Sequence, residues 1–211
     1  MKPHIIAIAG PSGAGKSELA GALARELGCP ILSLDRYYQD LSALSLGERI
    51  RVNFDAPTAI DQRLLVRHVQ ELSQGHEIEQ PIYDFATHRR VPETETLRAN
   101  TFLILEGLFA LYWPELRELT ETKIFVDAED AVCLARRQQR DVAERGRDTE
   151  SVISQFKETV QPMAARYVRP SKAYADLRLS GEEDLDRILG VAIEYIRTHS
   201  PGSMNTEPAA N

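Results

Sequence analysis

The chain has 211 residues and a formal charge of −7. That length suits one sizeable α/β domain, and the acidic balance excludes a nucleic-acid surface as its main partner, because counterion release needs clustered cations. Cys29 and Cys133 stand far apart with no C-x-x-C spacing, which excludes a disulfide framework or zinc site, and the longest apolar run, Thr101 to Trp113, is broken by Glu106 and too short to span a bilayer.

From the N terminus, the apolar run Ile5–Ala9 reads as a buried strand and leads straight into Gly10-Pro11-Ser12-Gly13-Ala14-Gly15-Lys16-Ser17. A helical pattern follows over Lys16–Leu27. The segment matches G-x-x-x-x-G-K-[ST] in the strand–loop–helix context that the motif requires. Gly10, Gly13 and Gly15 give the backbone freedom to turn its N–H groups, those of Ser12 and Ala14 included, toward phosphate oxygens, and the helix N terminus adds its dipole. Lys16 would reach the β- and γ-phosphates, and the Ser17 hydroxyl would ligate Mg²⁺. No cleaved leader is expected ahead of such a loop, so the chain is expected to be soluble and cytoplasmic, with no membrane partner.

The second strand, Ile31–Leu34, ends at Asp35. A carboxylate there either takes a proton from an attacking hydroxyl or caps a turn. A helix is predicted over Ile60–Gln74. The stretch Glu77–Ala99 breaks the rhythm and reads as a short hairpin or flap inserted before the third strand. It holds Tyr83, Phe85, His88 and Arg90, which suit a planar heterocycle or, equally, a small satellite core. The third strand, Thr101–Leu105, ends at Glu106, a magnesium-holding acid or a turn residue beside Gly107.

A fourth strand, Lys123–Val126, precedes a helix over Glu129–Glu144. Arg136, Arg137, Arg140, Arg145 and Arg147 crowd its end and the break at Gly146. They form either a clamp for transferring phosphoryl oxygens or a solvated face paired with Asp141, Glu144 and Asp148. The next helix, Thr149–Val168, has a buried stripe of Val152, Phe156, Val160, Met163 and Tyr167 and should kink at Pro162. A last strand, Asp176–Leu179, and a last helix, Glu183–Arg197, are followed by a tail, Ser200–Asn211, expected to be disordered. Strands alternating with helices imply an α/β fold with a parallel sheet covered on both faces. Ligands collect at the carboxyl ends of such strands, where the phosphate loop, Asp35 and Glu106 converge.

These strings together resemble the uridine–cytidine kinase family. The resemblance rests on Gly10–Ser17, Asp35-Arg36-Tyr37-Tyr38, Asn53-Phe54-Asp55, Pro81-Ile82-Tyr83-Asp84-Phe85-Ala86-Thr87-His88, Glu106-Gly107-Leu108, Phe125-Val126-Asp127, Arg136-Arg137 to Arg147, Gln155, and Pro170-Ser171-Lys172 to Asp176, across about residues 5 to 180. It implies a P-loop kinase domain over 1–199, with a nucleoside-binding flap at about 77–99 and an Arg-rich lid. The implied reaction moves the ATP γ-phosphoryl to the 5′-hydroxyl of uridine, and of cytidine, in pyrimidine salvage. Asp35 matches the catalytic base, with Lys16, Arg137 and Arg140 acting on the phosphoryl group. Asp55 matches the acid that holds the ribose hydroxyls, and Tyr83, Phe85 and His88 the base pocket. Arg137, Arg140 and Gln155 match further substrate contacts, Arg145 and Arg147 the lid over the nucleotide, and Ser17, Glu106 and Asp35 the magnesium shell. A homotetramer is also implied.

The chain departs from the family pattern at Ala56-Pro57-Thr58-Ala59, where His-Pro-Asp-Ala is usual, at Gln161, where Lys is common, and at Glu18. Ala56 and Thr58 flank the sugar-binding acid, so they bear on substrate range. No adenine-reading motif separates ATP from GTP. The alternatives are a related kinase for another small alcohol, such as a phosphosugar or pantothenate, and a nucleotide-binding regulator without phosphoryl transfer.

Overall fold

The computed structural model describes residues 2–145 and 148–200. In chain order the elements are β1 (His4–Ala9), α1 (Lys16–Leu27), β2 (Ile31–Ser33), α2 (Leu46–Arg49), α3 (Gln62–Ser73), β3 (Glu77–Asp84), β4 (Arg89–Arg98), β5 (Phe102–Glu106), α4 (Pro114–Glu118), β6 (Thr122–Asp127), α5 (Asp130–Arg145), α6 (Thr149–Gln155), α7 (Gln161–Met163), β7 (Leu177–Ser180) and α8 (Leu185–His199). The five strands read from sequence form one parallel sheet in the order β2-β5-β1-β6-β7.

Each central strand is apolar on both faces because helices cover both. Ile5, Ala7 and Ala9 of β1 join Leu103 and Leu105 of β5 and Phe125 of β6 in one core, closed by Leu65, Val69 and Leu72 of α3. The alternate residues, Ile6, Ile8, Ile104, Ile124 and Val126, form the opposite core with Leu19 and Leu23 of α1 and Ile188, Ala192 and Ile196 of α8. The period-2 alternation of strand side chains thus divides the interior into two layers. Asp61 starts α3 by accepting the Leu64 N–H at 3.1 Å. Gly28 ends α1 in the left-handed region, with φ at 60°, where a glycine has no Cβ penalty.

The inserted segment is a hairpin, β3 pairing antiparallel with β4 outside the main sheet, with an irregularity between Pro81 and Tyr83. It runs from Glu77 to Arg98, within the Glu77–Ala99 stretch expected for a hairpin or flap. Arginines fasten it to the domain. Arg36 meets Glu95 at 2.6 Å, and Arg90 donates to Asp61 and to the Tyr37 carbonyl, both at 3.3 Å.

The expected Thr149–Val168 helix is helical throughout, but two π-helical segments, Phe156–Val160 and Ala164–Val168, flank α7. Pro162 has no N–H to donate, and just before it the ladder widens, Gln161 N–H bonding to the Phe156 carbonyl. The wider turn moves the buried stripe. It runs Val152, Phe156, Val160, Ala164 and Val168, replacing the expected Met163 and Tyr167 by the residues one position later. Ser200, assigned to the tail by its composition, is buried with its Oγ 3.3 Å from the His4 ring nitrogens; residues 201–211 lie outside the described residues. Among the described residues no helix is long and apolar enough to cross a membrane.

Candidate active site

The site grows from the carboxyl edge of the sheet. Register places Glu106 of β5 beside Ile8 of β1 and Ser33 of β2. The phosphate loop leaves β1 there, and the chain after β2 closes into a 3₁₀ turn, Leu34–Tyr37, that carries Asp35. The loop needs its glycines for two reasons. Gly10 and Gly13 have φ values of 152° and 86°, and a Cβ on either would lie within 2.0 Å of the Val126 carbonyl oxygen or 2.5 Å of that of Cys133. L side chains avoid both that backbone region and such contacts.

One cleft of about 760 Å³ collects most of the residues singled out from sequence. Its phosphate-loop end is lined by Ser12, Gly13, Gly15, Lys16 and Ser17, with Glu106 and Asp35 adjoining. Arg137, Arg140 and Gln155 line the α5–α6 side, and Asp55, Tyr83, Phe85 and His88 the hairpin side. Gly10 and Ala14 shape the loop without lining the cleft; the Ala14 N–H is bonded to the Pro11 carbonyl at 3.2 Å. Arg147 and the Arg145 side chain lie outside the described residues, so the expected lid does too.

Lys16 is buried and bonds the Pro11 carbonyl at 3.0 Å. Burial pushes its pKa down, with the Glu106 and Asp35 carboxylates opposing. Glu106, 8% exposed, is pushed up by burial and held back by Lys16 and by the Ser17 hydroxyl, which donates to its Oε1 at 3.1 Å. A hydroxyl and two carboxylates, Ser17, Glu106 and Asp35, are the hard-oxygen donors that magnesium takes. Among the described residues no three His, Cys, Asp or Glu side chains form a metal cage. Ser17, Glu106 and Asp35 would leave the other positions of such a shell to phosphate oxygens and water, as magnesium binds.

Arg137 ties the loop to the far wall. Its two terminal nitrogens donate to Ser12 Oγ and Gln155 Oε1, both at 3.0 Å, and its Nε stands 3.5 Å from Asp141. Asp141 is fully buried and also accepts from Arg140 Nε and Nη2 at 2.9 and 2.8 Å. Arg136, Arg137 and Arg140 thus line the cleft, and Asp141, expected as a partner on a solvated face, is buried and orients two of them. Arg136 adds a bond to the Gly13 carbonyl at 3.4 Å.

At the other end, burial raises the Asp55 carboxyl, opposed by Arg137. Beside it Tyr38 packs against Phe54 and Tyr83, with ring centroids 5.1 and 5.2 Å away. His88 stacks on Phe54 at 4.9 Å and 18°. The Tyr83 hydroxyl is buried without a hydrogen-bond partner among the described residues, and burial pushes its pKa up to about 12. These aromatics do both: Tyr38 and Tyr83 belong to the buried core with Phe54 packed against it, and Tyr83, Phe85 and His88 line the cleft, where rings suit a heterocycle. Tyr38, whose hydroxyl lies 3.4 Å from Asp35 Oδ1, and Phe54 had no separate role from sequence. Only their place within the quoted motifs pointed to the site; Arg136 stood in the arginine cluster, and Asp141 was read as one of its solvated partners.

A cationic, glycine-lined end able to hold a polyphosphate therefore adjoins Asp35, and an acid with an aromatic nest lies beyond. The profile of the phosphoribulokinase/uridine kinase family matches residues 5–185. A protein from Shewanella amazonensis (strain ATCC BAA-1098 / SB2B) named uridine kinase is 43% identical over 180 residues, 82% of this chain and 85% of that one. Another so named, from Chloroflexus aggregans (strain MD-66 / DSM 9485), is 43% identical over 184 residues, 86% and 88% of the two chains. Among solved structures, phosphoribulokinase from Rhodobacter spheroides superposes with a TM-score of 0.61 at 17% identity, covering 85% of this chain and 70% of its own. A shikimate kinase from Bacteroides thetaiotaomicron gives 0.53 at 16% identity, over 92% and 98%. At those identities the two structures share the fold alone.

Proposed function

This chain belongs to the phosphoribulokinase/uridine kinase family, and from that premise we propose that it transfers the γ-phosphoryl group of ATP to the 5′-hydroxyl of uridine, and of cytidine, in pyrimidine salvage. The observation that carries this is the single cleft in which Asp35 stands with the phosphate loop, Asp55 and the aromatic nest. Asp35 accepts the proton of the 5′-hydroxyl as oxygen attacks phosphorus. Lys16 and the loop N–H groups hold the polyphosphate, and Arg137 and Arg140, oriented by Asp141, neutralise charge on the transferring group. Asp55 accepts hydrogen bonds from the ribose hydroxyls. His88 offers one donor and one acceptor, so its choice of tautomer serves either pyrimidine edge. Magnesium, held by Ser17 and Glu106 with Asp35 nearby, would screen the phosphate charge when bound.

The purified chain with ATP or GTP and uridine, cytidine, a phosphosugar or pantothenate tests this by product chromatography. Uridine and cytidine should yield their 5′-monophosphates with matching nucleoside diphosphate release. Diphosphate release without a nucleotide product, or preference for another alcohol, would overturn it.

A further inference from the structure

The β3–β4 turn carries two side chains of the cleft, Phe85 and His88, and His88 has a φ of 51°. A non-glycine residue holds that left-handed backbone only where its surroundings impose it. Inside the turn Asp84 accepts from the Ala86 N–H at 2.9 Å and from the Thr87 hydroxyl. From outside the hairpin, Arg49 Nη1 donates to the Thr87 carbonyl at 3.0 Å. The same guanidinium gathers its own loop. Nε donates to the carbonyls of Leu41 and Leu44 at 3.0 and 2.9 Å, and Nη2 to that of Ser42 at 3.3 Å.

The segment around Arg49 has no apolar reason for its shape. Helix α2 is one turn with no buried residue, and Leu44, Leu46 and Ile50 around it are exposed. It is organised by polar bonds: a capping box between Ser45 and Glu48 at its start, and Arg49 at its end. The Arg49 charge is also felt at the Tyr83 hydroxyl, where it opposes the effect of burial.

We propose that Arg49 is a positioning residue for the nucleoside: by joining the carbonyls of Leu41, Ser42 and Leu44 to that of Thr87, it holds the β3–β4 turn where Phe85 and His88 meet the base. This rests on the function proposed above. The planar fork of arginine supplies donors in several fixed directions, which a lysine ammonium cannot reproduce in one plane. Without it the competent turn is one conformer among several, and apparent affinity falls in proportion to its population. Bound nucleoside restores that conformer, so turnover at saturation is unaffected, and the ATP end of the cleft does not sense the change.

The test compares wild type with Arg49→Met and Arg49→Lys, measuring KM for uridine and for ATP, kcat, and amide hydrogen exchange over residues 85–88. For Arg49→Met the uridine KM should rise roughly tenfold, corresponding to a turn that is competent about a tenth of the time. The ATP KM should stay unchanged and kcat within about twofold. Exchange at 85–88 should quicken and be suppressed by saturating uridine. Arg49→Lys, which retains the charge and serves should the methionine variant not fold, should show a smaller shift of the same kind. The proposal is overturned if both KM values move together, or if exchange at 85–88 is unchanged. Should wild type leave uridine unphosphorylated, the substrate reading has failed, and exchange at 85–88 still decides whether Arg49 holds the turn.

Discussion

Gly181 is the sharpest test of how the last strand meets the phosphate loop. It follows β7 and donates its N–H to the Asp127 carbonyl at 2.8 Å. Its φ lies outside the left-handed region, so an alanine there has no intrinsic backbone penalty. The added methyl, however, would stand 1.8 Å from the Ala14 carbonyl oxygen and 2.9 Å from its carbon, where real Cβ contacts keep beyond 3.0 Å. The obstacle is backbone, so relief requires the loop or the β7 end to move by about 1 Å. Overpacking of this kind costs about 1–3 kcal/mol, and a clash with main chain belongs at the upper end. At about 2–4 °C per kcal/mol for a chain of this size, Gly181→Ala should melt roughly 6–12 °C lower. A loop displaced by 1 Å also misaims its N–H groups, a misplacement that can cost on the order of 10²-fold. ATP affinity should therefore fall at least about tenfold, or 1.4 kcal/mol. Gly190→Ala is the control. That glycine sits in α8 with nothing within 4 Å of its Cβ position, so alanine should raise stability by up to about 1 kcal/mol through helix propensity. Scanning fluorimetry and titration calorimetry with MgATP measure both variants. A Gly181→Ala protein that melts within about 2 °C of wild type and binds ATP within about twofold would refute the close approach.

Other outcomes follow from the same geometry. Asp35→Asn should bind ATP normally and lose about 10²–10⁴ in kcat for uridine; activity within threefold of wild type would make Asp35 a turn residue. Buried Asp55 should impose at least roughly tenfold lower kcat/KM on deoxyuridine than on uridine, and a preference that survives Asp55→Ala would remove its ribose role. His88→Phe should raise the uridine KM and spare that of ATP, whereas equal damage to both points to a hairpin defect. Burial lowers the pKa of His68 below its ordinary 6.5, with Glu71 opposing and Arg67 and Arg90 adding. A depressed base stabilises the fold above the unfolded value, and that contribution is lost as pH falls through the folded one. Melting temperature should therefore drop below about pH 6.5. His68→Asn, which retains an acceptor for the Tyr37 hydroxyl now 2.9 Å from His68 Nδ1, should flatten part of the drop, and an unchanged pH slope would exclude His68 as a source.

Much was legible from neighbouring residues alone. Gly10, Gly13 and Gly15 before Lys16 define a phosphate loop because the backbone angles that it needs are local; the central strands β1, β5 and β6 were legible because burial on both faces demands apolar runs, and the edge strand β7 from the alternation around exposed Arg178. Glu106 ends β5 as expected, whereas β2 stops at Ser33 and Asp35 lies just beyond it in a 3₁₀ turn. The buried stripe failed at Met163 and Tyr167 because an ideal helical period cannot anticipate a ladder widened ahead of Pro162.

What only the tertiary structure decided are the meetings between distant segments. Arg137 reaches Ser12 across 125 residues, Asp141 becomes a buried anchor and not a solvated partner, Gly181 comes under the loop at Ala14, and Arg49 finds Thr87. Local periodicity determines which face of an element is buried, and it contains no term for the strand order β2-β5-β1-β6-β7 that sets which buried faces and which polar side chains come together.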